Sequence, residues 1–189
     1  MDALAVLKSD HDKARKLFME FRAAAEAKDN EKIADVTAKI FEELETHTAI
    51  EERVFYPEVK KAGGAELEDL TAESNEEHHV VDVLMAEVKE LTPSNDQYVA
   101  KMKVLIENVE HHAGEEEKEM FPQVRNLLSQ EELDELGAAL EREKWVVRVE
   151  KMTLDDLQDA ASQLEIDGRS SMNRSELASA VLGTHTGGA

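Results

Sequence analysis

Cysteine is absent from this 189-residue chain. That excludes disulfide staples and thiolate metal sites together, so any metal must be held by nitrogen and oxygen ligands. Prolines number three and aromatic residues make up 4%. With Glu, Ala, Leu, Lys and Val dominating and helical periodicity throughout, the composition reads as all-α. Basic residues are outnumbered 22 to 43 by acidic ones, for a net charge of −21. A surface of that sign argues against non-specific binding to nucleic acid or to an anionic membrane. No apolar run approaches the roughly 20 residues needed to span a bilayer. The opening stretch from Met1 to Asp10 lacks the basic segment and long apolar core of a signal peptide. The expectation is a cytoplasmic protein, long enough for one good core and a small appendage.

Helical stripes account for most of the length. Leu4, Leu7, His11, Ala14, Phe18 and Phe21 recur at the 3–4 spacing of an amphipathic helix. After a break at Asp29-Asn30, a second stripe carries Ile33, Val36, Ile40, Leu44, His47, Glu51 and Val54. Pro57 is expected to kink or end this helix, and Gly63-Gly64 to stop the chain. A third stripe runs through Leu67, Leu70, Ser74, His78, Val81, Met85, Val88 and Leu91. Thr92-Pro93 then reads as an N-cap with proline at the first helical position. The fourth carries Met102, Leu105, Val109, His112, Glu116 and Met120 before Pro122. Four long helices with short connections imply an up-and-down antiparallel four-helix bundle.

One phrase occurs twice. His47 is followed four residues later by Glu51 and ten residues later by Pro57; His112 is followed at the same intervals by Glu116 and Pro122. Four residues rise about 6 Å along a helix and return to the same face. His11, His47, Glu51, His78, His112 and Glu116 all occupy stripe positions otherwise reserved for apolar residues. His111 falls one step off the fourth stripe. His79, also one step off, stands as the alternative to His78, and Asp82, one turn after His78, as an extra ligand; their phase favours the solvent side. Tyr56 is out of phase with His47 and Glu51 on an ideal helix, but a change of direction at Pro57 would re-aim it toward them. Met19, Met85, Met102 and Met120 read as core filler.

Two buried carboxylates without compensation would cost many kcal/mol. Six inward polar groups in one layer are hard to satisfy except with metal, and bundle cores are a known place for such sites. Four imidazoles and two carboxylates are too nitrogen-rich for Mg²⁺ or Ca²⁺ and suit a borderline transition metal. Six ligands exceed the four of a structural zinc site, which favours two ions. If each takes two histidines and both glutamates bridge, each has about four protein bonds. A bridging oxo or hydroxo group then leaves about one open octahedral position per ion. The Glu-x-x-His spacing of ferritin-like di-iron bundles occurs only once in this region, from Glu76 to His79, and the His-Glu-x-x-His of zincins does not occur.

From about residue 2 to 140, the chain resembles the hemerythrin-like, HHE cation-binding family. The matching stretches are Ser9-Asp10-His11, His47-x-x-x-Glu51-Glu52-x-x-Phe55-Tyr56-Pro57, Glu77-His78-His79-Val80-Val81, and His112-x-x-x-Glu116-Glu117-x-x-Met120-Phe121-Pro122. The resemblance implies a non-haem centre of two iron ions that handles O₂, hydrogen peroxide or nitric oxide, or senses iron or oxygen. It carries ligand roles to His11, His47, Glu51, His78, His112 and Glu116. Oxygen carriers of the family have five ligating histidines; the four here point to catalase-like, peroxidase-like or NO-handling redox chemistry. A binding or sensing module without turnover is the alternative, and a purely structural bundle the third.

Beyond the bundle, assigned to residues 1–128, Ser129 with Glu132 resembles a capping box. It opens a fifth helix (129–150) expected to pack on the bundle. Residues 151–189 are expected to form a small helix–loop–helix module. There Thr153 with Asp156 opens one helix, Asp167-Gly168 turns, and Asn173 with Glu176 caps another. Gly183 to Ala189, including His185, is expected to be disordered. The segment from 153 to 182 resembles Rho N-terminal and SAP-like modules, which often bind nucleic acid. Three basic against six acidic side chains over 151–189 instead favour a protein partner or self-association.

Overall fold

The computed structural model describes residues 1–186, and every regular element among them is helical. The elements are α1 (Ala3–Ala27), α2 (Asn30–Ile50), α3 (Tyr56–Ala62), α4 (Ala65–Lys89), α5 (Asp96–Glu115), α6 (Phe121–Leu127), α7 (Gln130–Lys151), α8 (Leu154–Gln163) and α9 (Arg174–Thr186). The first six build an up-and-down four-helix bundle in which α3 and α6 prolong α2 and α5. The fifth helix, α7, packs on α1 and α2, and α8 and α9 form the small C-terminal appendage.

The prolines do not end their helices. Each is absorbed by a single turn of π-helix, Glu51–Phe55 before Pro57 and Glu116–Met120 before Pro122. Proline removes one N–H and crowds the carbonyl four residues back. Widening the turn relieves that clash, and the backbone N–H of Tyr56 and of Phe121 reach Glu51 O and Glu116 O, five residues earlier. Such one-turn bulges shift the phase of everything after them.

Apolar packing falls into three clusters. One joins Phe18, Phe21, Ile33, Ile40, Met85, Met102, Leu105 and Ile106 at one end of the bundle. Another joins Leu4, Leu7, Ile50, Phe55, Tyr56, Val59, Leu67 and Met120 with Leu133, Leu136 and Leu140 of α7 at the other. The third holds the C-terminal pair together through Leu157, Ala161, Leu177 and Val181, with Trp145 and Val149 of α7. Gly137 lets α7 close on the start of the chain: a Cβ there would lie 2.2 Å from Met1 O and 2.9 Å from Ala3 N.

Some expectations are corrected. Thr92 and Pro93 do not start the fourth helix. They lie in a turn closed by Asn95 N–H donating to Thr92 O, and the cap is Asn95, whose side chain accepts from Gln97 N–H. Met19 is exposed, because it follows the buried Phe18 on the helix and so points away from the core. Residues 183–186, expected to be disordered, continue α9 to Thr186; the rest of that expectation lies outside the described residues. The capping boxes at Ser129/Glu132 and Thr153/Asp156 are both formed.

Candidate metal centre

Between the two apolar clusters of the bundle lies a polar layer. His11 comes from α1, His47 from α2, His78 from α4 and His112 from α5, while Glu51 and Glu116 open the two π-turns. All six are buried, the two glutamates to 0% and 1% exposure. They gather into two clusters that share Glu51: His11, His47, Glu51 and Glu116, and Glu51, His78 and His112. Within each, one ligand atom per residue lies within 4.8 Å of the others. The imidazoles oppose each other in pairs, His11 Nε2 lying 3.1 Å from His47 Nε2 and His78 Nε2 lying 3.2 Å from His112 Nε2. Glu51 reaches both clusters, with Oε1 3.1 Å from His47 Nε2 and Oε2 3.4 Å from His78 Nε2.

A collar of four more acids, not assigned from the sequence, surrounds these histidines. His11 Nδ1 lies 2.9 Å from Glu117, His78 Nδ1 3.0 Å from Glu52, and His112 Nδ1 2.8 Å from Glu77. His47 Nδ1 lies 3.5 Å from Asp10 Oδ2. A carboxylate can only accept, so in the three shorter contacts Nδ1–H donates and Nε2 is the ring nitrogen left to face the centre. A readable signal existed: an acid precedes both His11 and His78, and a second glutamate follows both Glu51 and Glu116.

Two further aromatic rings frame the layer. Tyr56 stacks on His78 with centroids 5.8 Å apart, and Phe121 on His11 at 5.9 Å. The π-turn re-aims Tyr56 inward, where its O–H donates to Glu116 Oε1 at 3.0 Å. Burial, reinforced by the Glu116 and Glu51 charges, raises the Tyr56 pKa well above the ordinary phenol value. His79, His111 and Asp82 lie exposed on the outer surface.

Electrostatics explain how the layer is tolerated without a cation. Burial disfavours the His47 imidazolium, but the Glu51 charge, the Asp10 contact and Glu116 outweigh it and lift its pKa to about 10. His112 is raised well above its usual value against burial, by Glu51, Glu77 and Glu116. Burial pushes Glu51 up, yet His47, His112 and His78 hold it well below the usual carboxylate range. Protons on imidazole thus stand where a metal's charge would stand. They do so imperfectly: both Glu51 oxygens and Glu116 Oε2 are buried without a hydrogen bond of acceptable geometry. Unsatisfied carboxylate oxygens facing opposed Nε2 pairs are the donor set that a transition-metal ion fits.

Beside the layer is a cavity of about 20 Å³, lined by His11, His47, His112, Ala14, Phe18 and Leu44 among others. That holds one water-sized molecule. Among the described residues, no helix is long and apolar enough to cross a membrane.

Residues 150–188 match the Rho termination factor, N-terminal domain. Among known proteins, a DNA nickase of Nostoc sp. is 30% identical over 135 residues, covering 71% of this chain and 37% of its own length. An uncharacterized hemerythrin-like protein of Schizosaccharomyces pombe is 26% identical over 133 residues, covering 70% of this chain and 66% of its own. The chain thus spans well under half of the first relative and about two thirds of the second. The fold is shared with the crystal structure of a hemerythrin HHE cation binding domain-containing protein from Mycobacterium kansasii. The TM-score is 0.63 at 24% identity, over 95% of this chain and 99% of that one. Residues 2–124 match the hemerythrin HHE cation binding domain, and the chain belongs to that family.

Proposed function

We propose that the polar layer holds two iron ions, ligated by His11, His47, Glu51, His78, His112 and Glu116, and reacts with a small oxidant: hydrogen peroxide, O₂ or nitric oxide. The observation that carries this reading is Glu51, fully buried, with neither oxygen hydrogen-bonded and one facing each histidine pair. Burying such a carboxylate without a cation costs several kcal/mol; a divalent ion on either side removes the cost and supplies redox and Lewis-acid chemistry. Glu117, Glu52 and Glu77 orient three of the imidazoles and make them more basic.

Tyr56 breaks the equivalence of the two ions. By engaging Glu116 Oε1, it leaves that residue presenting Oε2, 3.2 Å from His11 Nε2 and 3.8 Å from His112 Nε2. An ion at His11/His47 would then have two carboxylates at hand and an ion at His78/His112 chiefly one. The protonated phenol stacks on His78 and could hold a proton for a small oxidant bound on that side. The cavity of about 20 Å³, with room for a water-sized molecule, opens on His11, His47 and His112. Oxygen release from hydrogen peroxide by the iron-loaded protein, lost in His112→Ala, is the expected result; equal activity in metal-free protein would overturn the reading.

A second reading, sensing without turnover, is favoured by one observation: α7 contributes both to the bundle core and to the core of the C-terminal pair. In that reading residues 151–189 form a docking module for a protein partner or a second copy of the chain. Of its few cations, Arg174 is spent on Glu150 O and Met152 O, which leaves little for phosphate. Stable, reversible O₂ spectra without turnover would distinguish it.

A further inference from the structure

Three of the four collar acids are glutamates that lie within 3.0 Å of their histidine. The fourth, Asp10, is one methylene shorter. Its Oδ2 stops 3.5 Å from His47 Nδ1 and has no hydrogen-bond partner, although the carboxylate is largely buried. What holds Asp10 comes from outside the bundle: Lys144 Nζ of α7 donates to Oδ1 at 2.8 Å, with 12% of the lysine side chain exposed. The family match ends at residue 124, 20 residues before Lys144. Glu117, the acid behind His11, is held from within the bundle by Arg15 at 2.8 Å and Lys8 at 3.3 Å. Among the described residues, neither Glu52 nor Glu77 is paired with a lysine or arginine; their direct contacts with histidine fix them.

We infer that Lys144 is a positioning residue of the metal centre, pinning the short Asp10 behind His47, so that the fifth helix completes the site. The inference rests on the two-iron reading above. Lys144 touches no ligand. It acts by fixing a carboxylate that would otherwise swing toward water, leaving the His47 ring without its backing charge. Removing a supporting residue of this kind typically weakens metal binding 10- to 100-fold. Here the loss should fall on the His11/His47 ion and spare the other.

Iron release to a competing chelator from the full-length, iron-loaded protein tests this. Lys144→Met should release one of the two irons about tenfold faster than wild type, with the second unchanged. Lys144→Arg should restore the wild-type course. Glu143→Gln, which breaks a neighbouring α7 link to Arg53, should behave as wild type. The double variant Asp10→Asn/Lys144→Met should release iron no faster than Asp10→Asn alone, because the two residues act in series. Wild-type release by Lys144→Met would overturn the inference. So would equal acceleration in Glu143→Gln with matched losses of melting temperature, which would assign the effect to the docking of α7. A wild-type chain that retains no iron would overturn the two-iron reading itself and the inference with it.

Discussion

The two halves of the bundle are built on one plan and differ where chemistry would notice. In α1/α2 the plan reads Asp10-His11, then His47, Glu51, Glu52 and Tyr56. In α4/α5 it reads Glu77-His78, then His112, Glu116, Glu117 and Phe121. The halves interlock, since Glu117 of the second backs His11 of the first and Glu52 of the first backs His78 of the second. Three departures break the symmetry: a hydroxyl on Tyr56 that Phe121 lacks, the shorter Asp10 in the place of Glu77, and a cationic brace of Lys8, Arg15 and Lys144 on the acids behind His11 and His47 that, among the described residues, the acids behind His78 and His112 do without. A duplicated frame could hold two ions, and its departures from symmetry would make them unequal.

The largest expected effect comes from the shared residue. Glu51→Ala removes the carboxylate whose two oxygens face one histidine pair each, and both irons should be lost on purification. Glu116→Ala, whose Oε2 lies nearer His11, should retain about one. Metal analysis of the two variants checks this, and equal retention would make the glutamates equivalent.

Next is Tyr56→Phe, which gives both halves a phenyl ring at this position. Iron content should hold while peroxide turnover falls about 100-fold, the low end for one lost proton-transfer group. Unchanged turnover with a normal optical spectrum would remove the phenol from the chemistry.

The metal-free protein gives a pH test. His47, lifted to about 10 from 6.5, contributes stability that is full below pH 6.5 and is lost as the pH rises through 10. Glu51, held below 4.5, contributes above that value and loses its contribution as acid protonates it. The metal-free melting temperature should therefore fall on the alkaline side between pH 6.5 and 10. Iron loading should strengthen over the same range, because binding displaces these protons. Parallel alkaline slopes for both forms would contradict the proton-for-metal exchange.

The smallest effect lies outside the site. Gly137→Ala drives a methyl against Met1 O and should cost about 1–3 kcal/mol, as overpacking does. Calorimetry would show it as a drop in melting temperature at unchanged iron content.

The inward six were legible because a 3–4 stripe assigns direction without knowing the neighbours: His112 and His78 were separated from His111 and His79 by phase alone. The collar was not legible in that way. Glu52, Glu77 and Glu117 sit off the stripe, like any solvent-facing acid, and acquire their role from a histidine on another helix. Tyr56 needed the π-turn, and proline signals a disturbance without saying whether the helix ends, bends or widens. The turn at Thr92 looked like a cap because Thr-Pro fits one; Asn95 offered the same capping chemistry three residues later. Lys144 depends on where α7 docks, and that follows from Gly137 and the apolar stripe of Leu133, Leu136 and Leu140.

Iron titration of the metal-free wild-type chain, followed by optical spectroscopy under chelator competition, tests the central claim most directly. Two irons per chain should bind, with distinct release rates and oxo-to-iron absorption in the near ultraviolet. A single iron per chain, or two released at one rate, would contradict the pair of unequal sites built on Glu51.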